Sequence, residues 1–187
     1  MIITELLAIL SIAAATGLRL ALPLLLVGLM SGPQLWSNVP LLSHLPPALV
    51  LGVLATWSMA ELMLSKNRYS QQLFQILELI LSPGVGALAG LAVARTFGLD
   101  GWINLPVGLI SALLALVIQL LQVGWFYRPR RPPLWLFFLV DGLCIVLAVL
   151  AFDNPNQGGI IALLLLWLVI RTSYLWQHWP RRSKPKP

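Results

Sequence analysis

A permanent cation sits in the middle of an apolar stretch. From Ser11 to Leu29 the chain reads SIAAATGLRLALPLLLVGL, with Arg19 as its one charge. About 20 apolar residues cross the hydrocarbon core of a bilayer, so this stretch reads as part of a membrane span. A guanidinium keeps its proton at any depth. Holding one at mid-membrane costs about 2.5 to 3.5 kcal/mol on insertion scales. The fold is therefore expected to bring a partner to Arg19 from elsewhere in the chain. Gly17 and Pro23 flank the arginine. Proline removes a backbone hydrogen bond and its ring crowds the preceding turn, so the helix is expected to break there.

The rest of the chain is of the same kind. It is 59% hydrophobic and 10% charged, where a soluble domain carries about 25% charged residues. This composition predicts one transmembrane helical domain over residues 1–180, followed by a basic tail over 181–187. The net charge of +6 sits in short segments beside apolar runs. There it sets topology, and no nucleic-acid partner is expected. The single cysteine, Cys144, excludes an intrachain disulfide and a cysteine-rich metal site. His44 and His178 are far apart, so neither a metal site nor a cofactor is expected. Met1 to Glu5 lacks the cation of a signal-peptide n-region, which predicts an uncleaved first helix.

Spans are predicted at about Ile2–Met30, Ala48–Leu64, Tyr69–Phe97, Trp102–Tyr127, Leu134–Phe152 and Ile160–His178. Between the first two, Ser31–Pro47 has four prolines, Trp36 and no formal charge, and reads as a loop along the interface. In the third region Gln71, Gln72, Gln75 and Glu78 share one helical face, opposite Leu73, Phe74, Ile76, Leu77 and Ile80. Ser82-Pro83-Gly84 then interrupts it. The favoured reading is one continuous but broken span; the other is an interfacial helix followed by a re-entrant half-helix. Asp153 to Gly159 reads as a turn. The fold class is an all-α integral membrane protein with about six transmembrane helices, the first and third broken near mid-span.

Charge sidedness agrees with six crossings. With the N-terminus in the cytoplasm, the cytoplasmic segments hold Lys66, Arg68, Arg128, Arg130, Arg131, Arg181, Arg182, Lys184 and Lys186. The opposite loops hold Asp100 and Asp153 and no lysine or arginine; only Arg95 lies near that side, at a helix end from which it can snorkel. Both termini are expected in the cytoplasm.

Four features bear on function. Glu61, Glu78 and Asp141 are the acids within spans and the candidate partners of Arg19, with Glu61 preferred because its span is next in sequence. Such a charge centre either binds an anion, a proton or a small solute, or is an ion pair that fixes packing. Paired breaks at Gly17/Pro23 and Pro83/Gly84 would suit a transporter site built on half-helices; a simple proline kink is the plainer reading. Gly86, Gly90 and Ala94 share a face suited to close helix packing. Six of the eight tryptophans lie near span ends, as in interfacial belts, whereas Trp57 and Trp167 lie deeper and read as packing mass.

These residues carry a family resemblance. Thr16-Gly17-Leu18-Arg19 with Leu22-Pro23-Leu24-Leu25, Ala60-Glu61-Leu62 with Lys66, and Ser82-Pro83 with Gly86-Ala87-Leu88 resemble the domain of unknown function 4126 family of bacterial multi-pass membrane proteins. Asp141 resembles an acidic position in the family's later half. Glutamines stand where the family commonly has aspartates after the Lys66 position. The resemblance implies a fold and a location in a bacterial inner or thylakoid membrane, but no reaction. The glutamine- and tryptophan-rich flavour is similar to cyanobacterial members.

No nucleophile–base pair, metal-ligand cluster or phosphate loop is apparent, so the chain is not read as an enzyme. The expected function is that of an accessory or assembly protein docking on a larger membrane complex, such as a photosynthetic one. The alternative is a small solute or ion transporter or channel with its polar centre around Arg19. Expected partners are the lipid bilayer and either other membrane proteins or further copies of the chain.

Overall fold

Each predicted apolar run becomes helix. The computed structural model describes residues 2–31, 45–64, 68–99, 101–126 and 134–177. Among these, seven helices form: α1 (Ile2–Leu18), α2 (Ala21–Ser31), α3 (Pro47–Leu64), α4 (Arg68–Thr96), α5 (Asn104–Phe126), α6 (Leu134–Asp153) and α7 (Pro155–Gln177). Three apolar segments are long enough to cross a membrane: Ile76–Thr96, Asn104–Val123 and Pro155–Thr172. Ile3–Leu18 and Ala48–Ala60 are shorter apolar helices. Most of the Ser31–Pro47 loop, Lys66, Arg128–Arg131 and the tail lie outside the described residues, as do the side chains of Glu61, Trp125, Trp135 and Trp176.

The first helix is the hub. α1 packs against α4, α5, α6 and α7. Ala8, Ile12, Ala13, Ala14 and Ala15 have no exposed surface. Small side chains allow this, because without a hydrophobic drive between helices in lipid, close van der Waals approach supplies the association. Gly17 marks the closest approach to α5: a Cβ there would lie 2.7 Å from the Ala115 carbonyl oxygen and 2.9 Å from Ile118. α2 packs on α3 and α6, and α3 otherwise only grazes α4.

Residue pairings fix the helix directions. Along α1, Ser11, Ala15 and Arg19 meet Leu147, Cys144 and Asp141 of α6 in turn, so the two are antiparallel. Along α4, Glu78, Gly86 and Gly90 meet Gln119, Ala115 and Ser111 of α5, again antiparallel. Gly17 meets Ala115 and Leu18 meets Gln122, while Ile9 reaches Gly90 beside Ser111; α1 and α5 therefore run in the same direction. Leu7 and Ser11 of α1 face Gly159 and Gly158 at the start of α7.

The first residues of α1 lie at the end of the bundle where α4 stops and α7 starts. One expectation needs correction, and it concerns α4. It runs unbroken for 29 residues with Pro83 inside it, so the interruption expected at Pro83 and Gly84 is absent. Close packing of α5 along Gly86 and Gly90 holds the backbone helical past the proline.

The turns are tighter than expected too. The predicted Asp153–Gly159 turn shrinks to Asn154, because Pro155 opens α7 at a first-turn position where its missing N–H is no loss. Gly158 and Gly159 serve contact with α1 instead. α4 ends in a Schellman arrangement: Leu99 N–H donates to the Ala94 carbonyl and Gly98 N–H to the Arg95 carbonyl, both at 3.0 Å. The left-handed φ of Gly98, 73°, is what makes that cap accessible to glycine.

Candidate functional site

The chain leaves helical geometry between Leu18 and Ala21, and the polar groups gather there. Pro23 falls in the first turn of α2, where the first N–H groups have no intrahelical partner. It therefore starts α2 without losing a bond. The same missing N–H deprives the Arg19 carbonyl of a helical donor, which permits the helix to end here.

Asp141 reaches Arg19 from α6. Arg19 Nε donates to Asp141 Oδ1 at 2.6 Å, with 15% and 17% of the two side chains exposed. Both charges are largely removed from solvent, yet neither is sealed. Around them side chains reach the carbonyls of the α1 end, although the Ala15 carbonyl also accepts the Arg19 backbone N–H at 3.0 Å. Gln122 Nε2 of α5 donates to the Leu18 carbonyl at 2.9 Å. The Cys144 thiol donates to the Ala15 carbonyl at 3.4 Å. Further back, Ser11 Oγ donates to the Leu147 carbonyl at 2.7 Å and ties α1 to α6 again.

One turn earlier on α5, Gln119 Nε2 donates to Glu78 Oε2 of α4 at 3.0 Å. Gln119 is 1% exposed and Glu78 9%. Gln119 and Gln122 are three apart and share a face of α5. Polar groups thus run from Asp141 through Arg19 and the α1 end to Gln122, then to Gln119 and Glu78.

The sequence candidates divide accordingly. Arg19 and Asp141 come together directly. Glu78 is held by Gln119 of α5. The first-choice partner, Glu61, is on α3, and its side chain lies outside the described residues. Gly86 and Gly90 face α5 of the same chain, so the neighbour of that small-residue face is intramolecular. Gln119 and Gln122 were not among the sequence candidates. An available signal was two amides three residues apart in an otherwise apolar helix, since burial of an amide demands partners. Arg171 also escapes a loop-based charge count, because it lies within α7; its guanidinium sits 5.1 Å from the centre of the Trp167 ring. Trp167 is 54% exposed, so it is on the outer surface and not in the core.

No group of three or more histidine, cysteine or acidic side chains suited to a metal occurs among the described residues. What the fold and the site define is a helical protein with membrane-length apolar helices packed around a buried ion pair at a helix break. The chain belongs to the family described as Domain of unknown function (DUF4126), whose model matches residues 6–174. No curated protein and no solved structure matches it.

Proposed function

We propose that this is an integral protein of a bacterial inner or thylakoid membrane that binds or passes a small polar solute or ion at the Arg19–Asp141 centre. The observation that carries this reading is an incompletely sealed ion pair at the point where the innermost helix ends. Helices that stop within the membrane, with irregular backbone shielded by protein, are how many transporters build solute sites.

Orientation sharpens the reading. Loop cations favour a cytoplasmic location for the Lys66 and Arg128–Arg131 segments. The helix directions then have α1 entering from the opposite side, N-terminus outside. Asp141 is the eighth residue of α6, about 10 Å from that helix's cytoplasmic end at helical rise. α1 therefore stops short of a full crossing. α2, with 11 residues, is about 16 Å long and too short to cross alone.

The test is aqueous access. In a Cys144→Ala background, Gln122→Cys should react with a membrane-impermeant thiosulfonate in intact membranes, whereas Leu164→Cys on the outer face of α7 should not. Inert cysteines throughout the Arg19 neighbourhood would overturn the reading. For orientation, a tag before Met1 should be accessible from outside and one after Pro187 only after permeabilisation.

A second reading is an accessory or assembly protein of a larger membrane complex. It draws on α3, whose Leu49, Val53 and Met59 stay exposed while the helix packs mainly on α2. Co-purification of a defined partner from native membranes, lost on substitution of Val53 and Met59, would favour it.

A further inference from the structure

We propose a sodium site between α4 and α5, formed by Glu78, Ser82, Gln119 and the Leu79 carbonyl. It is separate from the Arg19–Asp141 pair and does not rest on the transport reading.

The argument begins with spacing. Glu78, Ser82, Gly86 and Gly90 recur every four residues and share one face of α4. Gly86 and Gly90 press against Ala115 and Ser111 of α5, and Glu78 meets Gln119. Ser82 lies between these contacts on the same face and has no exposed surface. Among the described residues its Oγ has no hydrogen-bond partner, and neither does Oε1 of Gln119. Two polar oxygens are thus buried without partners beside a buried carboxylate. A polar atom buried without a partner destabilises the fold, so a ligand that satisfies these atoms is favoured.

Proline adds a third. Pro83 has no N–H, so it gives the Leu79 carbonyl no helical donor, and its ring pushes that carbonyl off the helix axis. Leu79 lies between Glu78 and Ser82 in sequence. The donor set is then carboxylate, hydroxyl, amide oxygen and a freed backbone carbonyl. All are hard oxygens with no nitrogen or sulfur among them, the chemistry of alkali and alkaline-earth cations. Freed carbonyls at helix irregularities are the ligands that membrane proteins use for Na⁺. The unbroken α4 accommodates this: a proline kept inside a helix exposes one carbonyl while the neighbouring ligands stay in register.

The experiment is thermal unfolding of the purified full chain in detergent, in NaCl or choline chloride at equal ionic strength and fixed pH. A ligand that binds only the folded state stabilises it in proportion to the logarithm of its concentration above Kd. The wild type should melt higher in NaCl, with a saturating dependence on Na⁺. Ser82→Ala and Gln119→Leu should each weaken the apparent Na⁺ affinity by tenfold or more. Pro83→Ala returns a donor to Leu79 and improves helix propensity, so it keeps the fold while also weakening the Na⁺ response. Equal melting of the wild type in both salts overturns the proposal, as does an unchanged Na⁺ response in Pro83→Ala and Ser82→Ala. A melting shift that follows pH and ignores Na⁺ also overturns it and leaves a proton as the ligand of Glu78.

Discussion

Two regions of this molecule carry the same kind of sequence punctuation and use it differently. Near Arg19, Gly17 and Pro23 bracket a true end of one helix and start of another. At Pro83, with Gly84 beside it, the helix runs on. Each proline deprives one carbonyl of its donor. What differs is the neighbourhood. At the α1 end, Gln122 serves the Leu18 carbonyl, Cys144 adds a second donor to the Ala15 carbonyl, and Asp141 holds the largely buried cation. Leaving the helix is inexpensive where side chains replace the backbone bonds. Around Pro83, α5 lies flush against Gly86, and a break would pull that interface apart. A proline permits a break, and the packing on either side decides whether one forms.

The comparison can be broken most severely at Arg19. Arg19→Leu strands Asp141 in the bundle, and removing one partner of a buried pair costs about 3 to 5 kcal/mol. Folded yield and melting temperature in detergent should fall sharply. Arg19→Leu with Asp141→Leu should recover much of the loss, and a stable double variant that no longer admits the thiol reagent at position 122 would tie the pair to function. An Arg19→Leu single variant with wild-type melting would mean that the helix end does not depend on the pair.

The α4–α5 face should be nearly as sensitive. Gly90→Leu meets Ser111 and must force the helices apart; overpacking of this kind costs about 1 to 3 kcal/mol or more. Gly84→Leu meets nothing within 4 Å and should melt within about 0.5 kcal/mol of the wild type, as outward substitutions do. Similar losses from both would show that α4 is not held as described.

A smaller effect is expected from Gln122→Leu. It leaves the Leu18 carbonyl without its donor, worth about 1 to 3 kcal/mol for a buried acceptor, and its melting should fall between those of the two glycine variants. The smallest is Pro23→Ala, in a first turn where proline costs little; its melting should change by less than about 0.5 kcal/mol. A large stabilisation would mean that Pro23 itself enforces the break.

These contrasts also explain what could be read from the sequence. The helices were legible because long apolar runs admit little else in a membrane, and their boundaries at Leu64, Leu134 and Thr96 fell close to the predicted ones. The need for an acid near Arg19 was legible from charge alone. That Asp141 is a partner was less so, because it comes near only after α6 folds back antiparallel to α1. The direction of α1 was likewise hidden. Loop cations report on the segments that carry them, and the first helix has none before Arg19. Pro83 looked like a break because its packing partner, α5, comes later in the chain.

The central place of α1 has a consequence for biosynthesis. Arg19 leaves the ribosome 122 residues before Asp141. At about 5 to 20 residues per second, the cation waits on the order of 10 s for its counterion. α4 and α5 are made within that interval, but α6 and α7, which complete the packing around α1, are not yet in place. The first helix made is therefore the last to be fully enclosed. Its early quarters must be the insertion machinery or the headgroup region, where a guanidinium still finds water and phosphate.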